Sequence, residues 1–242
     1  MSVPVTNLPT LTPEIRAFVE KTTEDAKLAF KVFRETGTTT AQGTVGFVER
    51  VPNEEKLVIV NYPGPFNPGK EVTPTVVGFD GTVYLGKGNG GAGRYLKLFQ
   101  QHADVTTISH VHSPHLGAWA QTHRSLPIHY VPVIRFKLFK EIPVYIDRRQ
   151  QEVDFILDRI QENPHTQAIL EANGGSTVWG KKGLRELAEY ILILEEGARL
   201  QILAESIGGS RDLGPGVWKQ QWNMGGLYQQ ALELGLVPPT DR

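Results

Sequence analysis

The chain has 242 residues, with 25 lysines plus arginines against 26 aspartates plus glutamates, and it contains no cysteine. Balanced charge without a basic block implies neither a nucleic-acid nor a membrane partner and leaves self-association open, while the missing cysteine excludes disulfides, thiolate ligands and a cysteine nucleophile. The N-terminus lacks the charged start and apolar core of a signal peptide, and no apolar run reaches the roughly 20 residues needed to span a bilayer, so a cytoplasmic chain forming one domain over 1–242 is expected.

Thr12-Pro13-Glu14 reads as a helix start, with a capping hydroxyl, a proline in the first turn and an acid beside it. Ile15, Phe18, Val19, Thr22, Ala26, Ala29, Phe30 and Phe33 then recur at helical spacing up to Gly37, a core-facing stripe. From Gly43 the period changes. Short β-rich runs at 44–48, 56–61 and 75–79 are separated by glycine and proline turns, and Asp80-Gly81 marks a hairpin. The glycine-rich loop 86–93 precedes a helix predicted over 95–101. Glycine allows close backbone approach and a helix start offers free N–H groups, so Asn89, Gly90, Gly91 and Arg94 are candidate substrate-binding residues; a plain connector is the equal alternative.

The run Ile108-Ser109-His110-Val111-His112-Ser113-Pro114-His115 carries the strongest chemical signal. Alternate residues of a strand share a face, so His110 and His112 emerge together, half of a metal site with positions left for water and substrate. A helix over 116–123 and a proline-punctuated strand over 126–136 are predicted next. His115, His129 and Tyr130 are the candidate catalytic groups of this stretch, His115 serving as acid/base or ligand, and His123 is a weaker candidate. Arg124 or Arg135, like Arg94, could pair a substrate carboxylate through its planar fork. A short helix over 154–162 and strand pieces over 168–178 around Asn173-Gly174-Gly175 follow, with Asn173 a further substrate-binding candidate. A long helix from Leu184 buries Leu184, Leu187, Ile191, Leu194, Ala198 and Ile202 and stops at Gly208-Gly209. Residues 210–242 read as a C-terminal helical extension whose run 218–228, with Trp222 and Met224, closes an apolar pocket or meets another subunit. The whole pattern predicts an α/β, three-layer α/β/α sandwich with a largely antiparallel central sheet.

The order of elements and the local wording resemble the class II aldolase/adducin family. The likeness begins with Glu35-Thr36-Gly37, Gly43-Thr44-Val45 and Arg50-Val51-Pro52. It continues through Val76 to Val83 and is most specific at His110-Val111-His112-Ser113-Pro114. It returns at Leu170 to Gly175, Trp179-Gly180-Lys181 and Leu194 to Ala198. What the resemblance implies is a homo-oligomer, typically a tetramer, with one divalent metal at His110 and His112. That ion would be zinc or iron(II), with manganese or cobalt as further options, and would stabilise negative charge developing on substrate oxygen.

Two departures narrow the chemistry that the resemblance implies. Asn173-Gly174-Gly175 stands where the family carries a third metal histidine, and Asn89-Gly90-Gly91 where it carries two serines and a catalytic glutamate. Glu171 lies three strand residues from Gly174, so a regular strand would aim it away from that place. The expected function is a metal-dependent lyase cleaving a C–C bond in an unphosphorylated hydroxy- or oxo-acid. Two alternatives stand beside it: an iron(II) oxygenase that oxidatively decarboxylates an aryl-pyruvate, as in antibiotic biosynthesis, and a catalytically silent binding relative.

Overall fold

A computed structural model describes residues 10–67, 69–88 and 91–242. The chain has an α/β architecture with a large, mostly antiparallel sheet and helices, as its alternating periods predict. It divides into two compact units: the first runs to Val111 and includes Trp179–Ala188, and the second comprises His112–Val178 and Glu189–Arg242.

In the first unit, helix α1 (Pro13–Glu35) begins where Thr12 Oγ1 accepts from Ile15 N–H, and it buries Ile15, Val19, Ala26, Ala29, Phe30 and Phe33. That face packs on strands β1 (Val45–Arg50) and β2 (Lys56–Asn61), with Phe30 and Phe33 against Phe47. Strands β3 (Thr75–Gly78) and β4 (Val83–Leu85) extend the sheet on one side, joined by the predicted hairpin, in which Asp80 Oδ1 accepts from Thr82 N–H at 2.9 Å. A 3₁₀ turn (Ala92–Arg94) and helix α2 (Leu96–Gln101) lead into strand β5 (Thr107–Val111), which pairs antiparallel with β1 in a register that sets His110 opposite Gly46. Thr107, Ile108, Ser109 and Val111 are buried while His110 is partly open, so the histidine faces less crowded space than its neighbours. β1 through β5 are antiparallel neighbours in the order β4-β3-β2-β1-β5.

The second unit opens with helix α3 (Pro114–Ala120), then strand β6 (Leu126–Pro127), helix α4 (Val131–Phe136), strands β7 (Glu141–Ile142) and β8 (Val144–Tyr145), and helix α5 (Glu152–Glu162). The strand predicted over 126–136 is therefore wrong beyond its first two residues. Pro132 supplies the fixed φ that suits a first helical turn, and Val133 and Ile134 pack inward as part of a helix face. Strands β9 (Ala168–Glu171) and β10 (Ser176–Gly180) form an antiparallel pair, and β8 adds to β9 in parallel. The last two residues of β10 count with the first unit, where Gly180 carbonyl accepts from Thr106 N–H at 2.9 Å.

Helix α6 (Leu184–Ser206) follows, with Leu184, Leu187, Ile191, Leu194 and Ala198 buried as its spacing predicts and Ile202, expected in the same stripe, only partly buried. Helices α7 (Val217–Met224) and α8 (Tyr228–Glu233) close the chain. Trp222 is fully buried, donates through Nε1 to the Lys137 carbonyl and packs at a tilt against Trp218, so it anchors α7 to α4 within the core instead of closing a pocket; Met224 is exposed. Among the described residues no helix is long and apolar enough to cross a membrane.

Candidate active site

The first unit holds a cavity of about 380 Å³ at the end of β5 and β1. His110, Gly91 and Arg94, three residues singled out in the sequence, all line it. So do Gly43, Thr44, Asn61 and Tyr62, which the sequence reading left out of the site. Their position follows from register. Gly46 faces both His110 on β5 and Asn61 on β2, so the chain just before β1 and just after β2 comes to the same end of the sheet. A Cβ at Gly46 would collide with the Asn61 carboxamide, so this glycine is what lets Asn61 reach across the strand. The one sequence signal for these groups was their place at strand ends, flanked by glycine and proline.

Arg94 ends the 3₁₀ turn, exposed, with its guanidinium 5.4 Å from the Tyr95 ring centre. Its backbone N–H donates to Gly91 carbonyl at 3.2 Å, which ties the arginine to the glycine-rich loop. Asn89 and Gly90, the other two loop candidates, lie outside the described residues. Ser109, between strand interior and His110, donates through Oγ to Gly46 carbonyl at 2.8 Å and so fixes β5 beside β1 one residue before the histidine.

In the second unit His115 is partly exposed and tightly held. Buried Glu195 of α6 accepts from His115 Nδ1 at 2.7 Å, from His115 N–H at 2.8 Å, from Leu116 N–H at 3.0 Å and from Ser113 Oγ at 2.7 Å. A carboxylate can only accept, so Nδ1 carries hydrogen and Nε2 is the ring atom able to take up a proton. His129 is differently committed. Its Nδ1 lies 3.2 Å from Gln201 Oε1 and 3.1 Å from Ser210 Oγ. Tyr130 donates to Glu196 Oε2 at 2.7 Å, and that bond raises the phenol's pKa above its ordinary value. His123 and Asn173 both adopt left-handed backbone and pair through Nε2 and Oδ1 at 2.7 Å. Arg124 lies over the Trp119 ring, and Arg135 holds Gln221.

Two further carboxylates of this unit are held inside it by hydrogen bonds. Glu152 at the start of α5 accepts from Thr177 Oγ1, and Glu171 at the end of β9 pairs with Arg148 at 3.0 Å. Both are buried. The expectation that Glu171 points away from Gly174 is wrong. β9 stops at Glu171, Gly174 N–H turns back to the Glu171 carbonyl at 2.9 Å, and a Cβ at Gly174 would lie 3.6 Å from Glu171 Oε2. Strand alternation does not extend through a turn.

Comparison with known proteins agrees with this architecture. The chain is 26% identical to the L-ribulose-5-phosphate 4-epimerase UlaF of Salmonella paratyphi B, an alignment covering 68% of this chain and 77% of the epimerase. An L-fuculose 1-phosphate aldolase structure superposes with a TM-score of 0.68 at 17% identity, covering 88% of this chain and 97% of that one. The L-fuculose 1-phosphate aldolase from Glaciozyma antarctica PI12 gives 0.66 at 18% identity, covering 93% and 94%. These likenesses establish a shared fold. The family model described as the class II aldolase and adducin N-terminal domain matches residues 26–202, and the chain belongs to that family.

Proposed function

We propose that the chain is a metal-dependent, lyase-type enzyme acting on a small, unphosphorylated hydroxy- or oxo-acid. The observation that carries this reading is the cavity in which His110 and Arg94 meet, one a metal-ligand type and the other a carboxylate receptor. A volume near 380 Å³ fits a small molecule. Asn61, Thr44 and Tyr62 supply polar atoms that can orient hydroxyl and carbonyl groups, and the loop sequence Asn89-Gly90-Gly91 offers no hydroxyl for a phosphate.

In this reading His110, with His112 two residues further along the chain, holds a divalent cation that stabilises negative charge on substrate oxygen. Arg94 binds and orients the carboxylate through two parallel N–H bonds. His115, fixed by Glu195 with hydrogen on Nδ1, is the group that can exchange a proton at Nε2.

The test is to load the protein with zinc, manganese, cobalt or iron(II) and offer 2-oxo acids, 2-hydroxy acids and sugar phosphates, identifying products by mass spectrometry. Cleavage of the free acids, lost in the His110→Ala, His112→Ala double variant, is expected. Arg94→Met should raise KM for acids at least tenfold, the order of one lost charged bond. Preference for sugar phosphates would overturn the substrate assignment, and oxygen consumption with iron(II) would overturn the lyase assignment.

A further inference from the structure

We infer that Asn61 selects acids carrying an oxygen on the carbon next to the carboxylate, and that the bare backbone of Gly46 is what brings its carboxamide to that oxygen. The inference deepens the proposed function and rests on its reading of the first unit's cavity as the site of a free acid.

Three observations carry it. First, strand register sets Asn61 of β2, Gly46 of β1 and His110 of β5 in one row, because Gly46 is the direct partner of both. Directly opposed residues of antiparallel strands share a face, so the row presents an amide, a gap and an imidazole to the cavity that all three line. Strands lie roughly 5 Å apart, which leaves Asn61 and His110 about 10 Å from each other at the backbone with one side-chain position between them. Second, the Asn61 side chain turns into that position. A Cβ at Gly46 would collide with Asn61 Oδ1 and lie 3.2 Å from its Cγ, so the carboxamide leans across β1 toward the β5 side of the row. Among the described residues no hydrogen bond takes up that carboxamide. Third, the chain that carries it is fixed. Tyr62, the next residue, donates its N–H to the Val45 carbonyl at 3.0 Å. Its ring packs 5.5 Å from the Phe30 ring centre and over Gly43, where a Cβ would lie 3.2 Å from it.

The chemistry follows from what each group can exchange. A carboxamide has both a donor and an acceptor, so it can pair with a hydroxyl or with a carbonyl oxygen. Arg94 lines the same cavity and receives the carboxylate, and a cation at His110 attracts the substrate oxygen that gathers negative charge. An acid bound in this way brings its second oxygen beside Asn61. An acid without that oxygen gives the carboxamide nothing to bond, and a site arranged to hydrogen-bond an oxygen discriminates against the analogue that lacks it.

The experiment is ligand-observed NMR titration of the zinc-loaded, full-length protein with 2-hydroxybutanoate and with butanoate, which differ by one oxygen. The wild type is compared with Asn61→Leu, Gly46→Ala and Arg94→Met, with the melting temperature of each variant as a folding control. Asn61→Leu should weaken 2-hydroxybutanoate by about tenfold, the order of one hydrogen bond, and leave butanoate unchanged. Gly46→Ala should do the same without touching Asn61, since the added Cβ takes the room its carboxamide occupies. Arg94→Met should weaken both acids alike. Unchanged 2-hydroxybutanoate affinity in Asn61→Leu, or an equal loss for both acids there, would overturn the role of Asn61 and leave the free-acid reading standing. Wild-type selectivity in Gly46→Ala beside a selective loss in Asn61→Leu would overturn the role of Gly46; where Gly46→Ala lowers the melting temperature, Asn61→Leu decides alone. Failure of the wild type to bind either acid would overturn the inference and the free-acid reading together.

Discussion

Glu195 and Glu171 are almost equally deep in the second unit, at 6% and 5% exposure, and they sit among different chemistry. Glu195 takes its donors from residues 113 to 116: a hydroxyl, two backbone N–H groups and an imidazole. The carboxylate thus substitutes for the missing hydrogen-bond acceptors at the start of α3 and welds that short helix to α6. Glu171 stands at a strand end close to Gly174 and pairs with Arg148, whose side chain is 49% exposed. Burial alone does not tell how a carboxylate is held or how much of the fold depends on it. The identity of the partners does.

The contrast breaks most visibly at Glu195. Changing it to alanine strands a hydroxyl, an imidazole nitrogen and two backbone N–H groups, so a loss of roughly 3–5 kcal/mol is expected from urea unfolding. A loss below about 1 kcal/mol would mean that those bonds do not hold the unit together. Glu195→Gln keeps one acceptor oxygen and should lie between.

A third buried glutamate, Glu49 on β1, sharpens the comparison through pH. It accepts from Leu184 N–H at 3.3 Å, and burial pushes its carboxyl up to about 7 from an ordinary 4.5. A raised carboxyl pKa means that the folded chain holds a proton that the unfolded chain has released. Its contribution is therefore complete below about 4.5, falls as pH rises, and is gone above about 7. The difference in stability between wild type and Glu49→Gln should change by roughly 3 kcal/mol across that window and stay level above it. A flat difference would show that Glu49 ionises normally.

Glu171→Gln should cost about 1 kcal/mol in urea unfolding, since glutamine still accepts from Arg148. A larger loss would place Glu171 with Glu195 among structural carboxylates. The smallest effect belongs to Asn173→Gly. The position has φ of 57°, which glycine adopts freely, so loss of the bond to His123 is offset and the net change should stay within about 0.5 kcal/mol.

Much of the fold was legible because its elements announce themselves locally. The α1 stripe, the Asp80-Gly81 hairpin and the α6 stripe follow directly from residue period and turn chemistry. The segment 126–136 misled because β-branched residues and prolines read as an edge strand, whereas Pro132 begins a helix whose inward face packs in the core. Of the residues lining the first unit's cavity, Gly91, Arg94 and His110 were singled out from sequence, and Asn61 and Tyr62 were not. Asn61 and Tyr62 reach the cavity through strand register, which no local pattern encodes. Glu171 was misjudged because strand alternation was carried across a turn that ends it.

The central claim is that a metal ion sits at His110. Anomalous diffraction from crystals soaked in manganese(II), recorded for wild type and for His110→Ala, tests it most directly. A single strong peak within coordination distance of the His110 ring, absent from the variant, is the predicted result. A peak away from His110, or one that survives its replacement, would contradict the account.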